Sequence, residues 1–132
     1  MKEFTKLEVG SFGEKECLKY IKRVKKLKIL GKNIRIGHLE ADIIAYDKES
    51  IVIIEVKTLR EDKNNPYRPA DAFDYKKQSN LIKFAYAYVS TLPKKFDDKS
   101  IRIDVCEVFA KADDKKLRLS SLNYLEDVVA TR

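Results

Sequence analysis

The sequence predicts an α/β fold, a central mixed β-sheet flanked by α-helices. Three observations predict it. Two long stretches, from about Ser11 to Leu27 and from about Asp71 to Thr91, repeat apolar residues at helical spacing. Short isoleucine- and valine-rich runs lie between and after them, and a polar four-residue turn joins two of these runs. At 132 residues, with charged side chains interleaved among apolar ones, the chain is expected to form a single domain over residues 1–132.

The elements follow in order. In the first helix Cys17, Tyr20, Ile21, Val24 and Leu27 form the inward stripe, with Gly10 and Gly13 flanking its start and Gly31 following its end. Ile34 and Ile36 mark a strand. Ala41 to Tyr46 and Ile51 to Thr58 read as two more, joined by a hairpin turn at Asp47-Lys48-Glu49-Ser50. Residues 60–70, rich in Asn, Pro and charge, read as a loop. Leu81, Phe84, Ala85 and Tyr88 carry the stripe of the second helix. Ile101 to Phe109 is a strand, and a short strand near Leu117 and a short helix over Leu122 to Val128 are expected to complete the fold.

Several function classes drop out. No apolar run approaches the roughly 18 residues of a membrane span, and Met1-Lys2-Glu3-Phe4 does not open a signal peptide, so a cytoplasmic protein without a membrane partner is expected. Cys17 and Cys106 sit in apolar patterns and read as small core residues. A single histidine, His38, argues against a His-rich metal centre or a Ser-His-Asp triad.

The net charge of +7 is localised. Residues 1–35 hold 11 basic and 4 acidic side chains, leaving 17 of each sign for the remainder. The excess includes Lys19, Lys22, Arg23, Lys25, Lys26 and Lys28 on and after the first helix, a surface suited to a polyanion such as DNA or to a solvated helix face.

The polar residues that interrupt apolar strands are the candidate site. Period-two alternation puts Ile51, Ile53, Glu55 and Lys57 on one face, and Glu40, Asp42 and Ile44 on one face of the preceding strand. A turn centred between Lys48 and Glu49 pairs Tyr46 with Ile51, Ile44 with Ile53, Asp42 with Glu55 and Glu40 with Lys57. Opposed carboxylates with Cβ atoms roughly 5 Å apart repel. A hard divalent cation, Mg²⁺ or Mn²⁺, held by Asp42 and Glu55 relieves that repulsion, with Lys57 placed to steady an attacking water. A structural ion cluster relieves it equally well. Glu14 precedes Cys17, Leu18 and Ile21 by three, four and seven residues and so lies on the inward stripe. Gln78 lies three and seven positions before Leu81 and Ala85, with Lys77 beside it, and both are within reach of a phosphate or water over the same sheet.

These residues resemble a known family. Gly10-x-x-Gly13-Glu14, Glu40-Ala41-Asp42-Ile43-Ile44-Ala45 and Ile53-Ile54-Glu55-Val56-Lys57 resemble the YraN family, uncharacterised proteins classed with endonucleases in the restriction-endonuclease-like, PD-(D/E)xK superfamily, and are similar to archaeal Holliday-junction resolvases. The resemblance continues through Pro69-Ala70-Asp71-Ala72, Lys77-Gln78-x-x-Leu81, Arg102-Ile103-Asp104-Val105 and Asn123-Tyr124-Leu125-Glu126-Asp127. Ala41 stands where the superfamily motif has proline, and Leu39 where the family usually has glycine. The resemblance implies a restriction-endonuclease-like fold with Asp42 and Glu55 as metal ligands. Lys57 would be the catalytic lysine, Glu14 an auxiliary acid and Gln78 a supporting helix residue.

The expected function is therefore metal-dependent hydrolysis of DNA phosphodiesters, on branched or otherwise structured DNA. Lys19, Lys22, Arg23, Lys26 and Lys77 would contact the backbone, and a homodimer would supply paired cuts. The alternatives are a nucleic-acid-binding module that keeps the nuclease fold but is idle or needs a partner, and an assembly protein whose carboxylates only form ion pairs.

Overall fold

The computed structural model describes residues 3–61, 74–113 and 115–129. The elements are α1 (Lys6–Arg23), β1 (Lys28–Ile36), β2 (Leu39–Tyr46), β3 (Ser50–Arg60), α2 (Tyr75–Val89), β4 (Ser100–Ala112) and β5 (Leu117–Leu125), with one 3₁₀ turn at Lys94–Phe96. The sheet order is β1-β2-β3-β4-β5. β3 and β4 are parallel, the other neighbours antiparallel, so the sheet is mixed. Helix α2 lies in the crossover between the two parallel strands.

The sheet separates two apolar clusters. Cys17 and Ile21 of α1 pack with Ile43, Ala45, Val52, Ile54, Cys106 and Val108. Leu81, Phe84 and Ala85 of α2 pack with Ala41, Ile44, Ile51, Ile53 and Ile103. β3 alternates cleanly between the two, and all of Ile51 to Ile54 are fully buried, as expected of a central strand covered on both faces.

α1 starts earlier and stops earlier than its apolar stripe predicts. Thr5 and Glu8 form a reciprocal capping box, so Gly10 and Gly13 lie inside the helix. The helix ends at Arg23, and Lys26 turns the chain in the left-handed region at φ 58°. Gly13 is required by packing, because a Cβ there would lie 1.7 Å from Thr58 Oγ1 on β3.

The Asp47 carboxylate accepts the N–H groups of Glu49 and Ser50 and shapes the β2–β3 turn. Lys99 ties that turn to the start of β4 by donating to the carbonyls of Asp47 and Lys48.

The expected helix over Leu122 to Val128 is corrected: Leu117–Leu125 is one edge strand. A register shift opposite Phe109 and Ala110 skips Ser120. Leu122, Leu125 and Val128 stand three apart, which imitates helical spacing, although Leu122 and Leu125 lie in the strand. The buried Asp104 carboxylate anchors this region, accepting from Arg102, the Tyr124 hydroxyl and the Asp127 N–H. Apart from Arg60, which ends β3, and Glu61, whose N–H donates to the Ala110 carbonyl, the loop expected over residues 60–70, and the first residues of the expected second helix, lie outside the described residues. α2 itself begins at Tyr75, with Asp74 as its N-cap.

Candidate active site

The β2–β3 ladder has the register the turn predicts. Tyr46 pairs with Ile51 and Ile44 with Ile53, and the ladder ends at Ile43 and Ile54. Asp42 and Glu55 lie one step beyond that last pair. A continued ladder would set Val56 opposite Ala41, but the Val56 N–H donates instead to Asp42 Oδ2 at 2.8 Å. β2 also changes face here. Ile43 and Ala45 belong to the α1-side cluster and Ala41 to the α2-side cluster, so alternation breaks at Asp42. Opposite it on β1, between the pairs Lys32–Ile43 and Ile34–Ala41, stands Asn33 with φ 50°. Asparagine tolerates this left-handed conformation better than most residues. Glu40 does not pair with Lys57 as expected but accepts from Arg35 on β1, while Glu40 and Lys57 both line the cavity on the α2 side of the sheet.

Because the strands fork at this point, Asp42 lines cavities on both faces of the sheet. On the α2 side a cavity of about 520 Å³ is bounded by Asp42, Glu55, Lys57, Lys77, His38 and Asn80, among others. On the α1 side a cavity of about 650 Å³ reaches from Asp42 and Lys57 past Glu14 to Phe4, Lys6 and Arg60.

The charges are tightly grouped. Glu55 Oε1 lies 2.7 Å from Lys77 Nζ and 3.2 Å from Lys57 Nζ, and the Glu55 side chain is almost wholly buried. Burial, and then the neighbouring Glu55 charge, push the Asp42 carboxyl up to about 7, against the pull of the Val56 N–H. Burial, and then the nearby Lys77 ammonium, hold Lys57 below the usual lysine range. Burial also opposes the charge on Lys77, but its contacts with Glu55 and Lys57 outweigh it and the group is raised.

Among the described residues, no group of three or more His, Cys, Asp or Glu side chains converges to hold a metal. Two carboxylates, with water and phosphate completing the sphere, suit Mg²⁺ or Mn²⁺, and the Asp42–Glu55 repulsion is what such an ion relieves. The pair therefore fits a hard divalent cation, on the condition that it shares or displaces the ammonium groups on Glu55.

The remaining candidates divide by position. Glu14 accepts from Asn33 Nδ2 at 3.0 Å and lines the α1-side cavity. Gln78 is half-buried on α2 and is not among the residues lining either of these two cavities, whereas Lys77 and Asn80 line the α2-side one. Lys22, Arg23 and Lys26 lie at the other end of the sheet, where Lys28 pairs with Tyr46, four residues or roughly 13 Å along β2 from Asp42. Lys19 is paired with Glu16 at 2.8 Å. Asn33, Lys6, Arg60 and Asn80 join these cavities or their hydrogen bonds without a signal in the sequence pattern. A lone asparagine among alternating strand residues carries no periodic signal, and a lysine at a helix start reads as solvated surface.

The pattern of the uncharacterised protein family UPF0102 matches residues 13–108, which include the whole of the Asp42–Glu55–Lys57 fork. The chain belongs to the UPF0102 family. It is 36 % identical over 125 residues to a UPF0102 protein of Caldanaerobacter subterraneus subsp. tengcongensis, covering 95 % of this chain and 97 % of that one. It is 40 % identical over 112 residues to a UPF0102 protein of Thermodesulfovibrio yellowstonii (85 % and 91 % covered) and 34 % identical over 111 residues to one of Dictyoglomus thermophilum (83 % and 89 % covered). Among the described residues no helix is long and apolar enough to cross a membrane.

Proposed function

We propose that this UPF0102 chain is a metal-dependent DNA endonuclease of the restriction-endonuclease-like, PD-(D/E)xK kind. The observation that carries the reading is the convergence of Asp42, Glu55 and Lys57 on one cavity at a strand fork. Asp42 and Glu55 would hold Mg²⁺ or Mn²⁺, which when bound neutralises phosphodiester charge and makes a water more acidic. Lys57, less basic than a free lysine, is suited to hold or pass a proton of the attacking water. Glu14, fixed by Asn33, orients water from the α1 side. Lys6, Arg60, Lys76 and Lys77 border the two cavities and offer charge to the flanking phosphates. Lys19, Lys22, Arg23 and Lys26 would extend that track toward the hairpin end. If the substrate is branched DNA, two symmetry-related cuts imply a homodimer.

A second reading, DNA binding without cleavage, is favoured by one observation: Glu55 Oε1 already carries two ammonium groups. Incubation with junction, flap, single-stranded and supercoiled DNA, with Mg²⁺ or Mn²⁺, separates the two. Cleavage that disappears in Asp42→Asn supports the enzyme. Metal-indifferent binding of DNA with no cleavage of any substrate supports the second reading.

A further inference from the structure

The two glycines of α1 differ in their reasons for being there. Gly13 is demanded by Thr58, which occupies the space its Cβ would take. Gly10, also in the helix interior, faces open space: beyond its chain neighbours and the backbone of its own helix, no atom lies within 4 Å of the Cβ it lacks. Glycine weakens a helix interior by about 1 kcal/mol relative to alanine, and neither packing nor a positive φ requires it at this position. What a side chain at Gly10 would remove is room in the α1-side cavity.

That cavity has the size and chemistry of a nucleotide site. Its volume of about 650 Å³ lies in the range of small-ligand pockets. Lys6, Gly10 and Glu14, spaced four apart, form one face of α1. The cavity is walled by Val9 and Leu59, with Phe4, Lys6 and Arg60 also lining it. It meets the proposed metal site at Asp42 and Lys57, which line both cavities.

We propose that the α1-side cavity receives an unstacked nucleotide of the DNA substrate, the one attached to the phosphate held at Asp42. Its base packs on Phe4 and the apolar wall in the room left by Gly10, while Lys6 and Arg60 contact its phosphates. The two cavities adjoin at Asp42, Val56 and Lys57, just beyond the last β2–β3 pair, so a phosphate held at Asp42 borders both. The substrate class that follows is DNA with an unpaired nucleotide at the cut, as at a bulge, flap or junction, in preference to continuous duplex. This inference rests on the nuclease reading for the identity of the phosphate at Asp42.

The test uses full-length protein and oligonucleotides carrying 2-aminopurine, with Ca²⁺ in place of Mg²⁺ to permit binding without turnover. The wild type is expected to bind a duplex with one bulged nucleotide at least about five-fold more tightly than the same duplex fully paired, with a change in 2-aminopurine fluorescence. Gly10→Leu, which fills the cavity, and Phe4→Ala, which removes the ring, should each abolish the preference while leaving fully paired binding and calorimetric Mg²⁺ affinity unchanged. Equal wild-type affinity for the two duplexes, or a preference that survives Gly10→Leu in a protein with an unchanged melting profile, overturns the proposal. Failure of the nuclease reading shows separately, as absence of Mg²⁺ binding and of cleavage whatever the base preference.

Discussion

Lys77 places its ammonium 2.7 Å from Glu55 Oε1, so a helix residue supplies a positive charge beside the carboxylate pair where a metal would supply one. Lys77 sits in the first turn of α2, the end of a helix that disfavours cations. Glu55 offsets that cost.

If the ammonium competes with a divalent ion, removing it should tighten metal binding. Lys77→Met is expected to raise Mn²⁺ affinity about five-fold, equivalent to ~1 kcal/mol for a partly exposed pair, while weakening DNA binding. Isothermal calorimetry checks this. Unchanged or weaker metal binding in the variant would mean that Lys77 does not compete.

Asp42 gives the metal-free protein a pH signature. Burial and the Glu55 charge push its folded-state carboxyl up to about 7, from about 3.9 in an unfolded chain. Between these values the unfolded chain ionises while the folded one holds its proton, so stability falls as pH rises. Below about 4 the stabilisation is complete, and above 7 its loss, roughly 4 kcal/mol at most, is complete as well. Asp42→Asn lacks this slope. Urea denaturation in EDTA at pH 4.5 and pH 8 should therefore show the variant gaining on the wild type as pH rises. Parallel curves would place the Asp42 carboxyl near its ordinary range.

The two helical glycines should respond in opposite directions. Gly13→Ala forces a methyl into Thr58 and should cost about 2 kcal/mol or more despite the gain in helix propensity. Gly10→Ala, with open space around it, should stabilise by about 0.5–1 kcal/mol. Chemical denaturation of both variants measures the contrast, and equal effects would contradict the packing described for α1.

The basic end of α1 lies away from the strand fork, so its contribution should be to affinity and not to chemistry. Replacing Lys22, Arg23 and Lys26 with glutamine is expected to reduce the slope of log affinity against log salt by about 2–3 if each meets a phosphate. The single-turnover cleavage rate at saturating protein should stay the same. An unchanged slope would assign these residues to a solvated face, where Lys22 and Arg23 complement the C-terminal end of the helix.

Much of this architecture is legible in the sequence because both of its periods are clean. Ile51 to Ile54 announce a doubly covered strand, and the Asp47 turn fixes a register that the structure keeps from Tyr46–Ile51 to Ile43–Ile54. The reading fails where the spacing misleads or a backbone irregularity resets the period. At the C-terminal end Leu122, Leu125 and Val128 repeat every third residue and so imitate a helix, but β5 runs through Leu125. Unbroken alternation through Asp42 predicts a continuous ladder, but β2 changes face there, and Asp42 and Glu55 lie just beyond the ladder's last pair. Asn33 and Lys77 act through long-range contacts with Glu14 and Glu55 that no local pattern encodes. The Thr5–Glu8 capping box, which marks the true start of α1, lies upstream of the apolar stripe from which the helix is read.

The bond from the Val56 amide to Asp42 has a practical consequence for genetics on this family. The same carboxylate that is a candidate ligand also terminates the backbone pairing of two central strands. Truncation to alanine would leave a main-chain donor unanswered and let the strand ends drift, so a dead alanine allele would not distinguish lost chemistry from lost architecture. Asparagine keeps an oxygen for the amide and removes only the charge, which makes it the informative allele at this position.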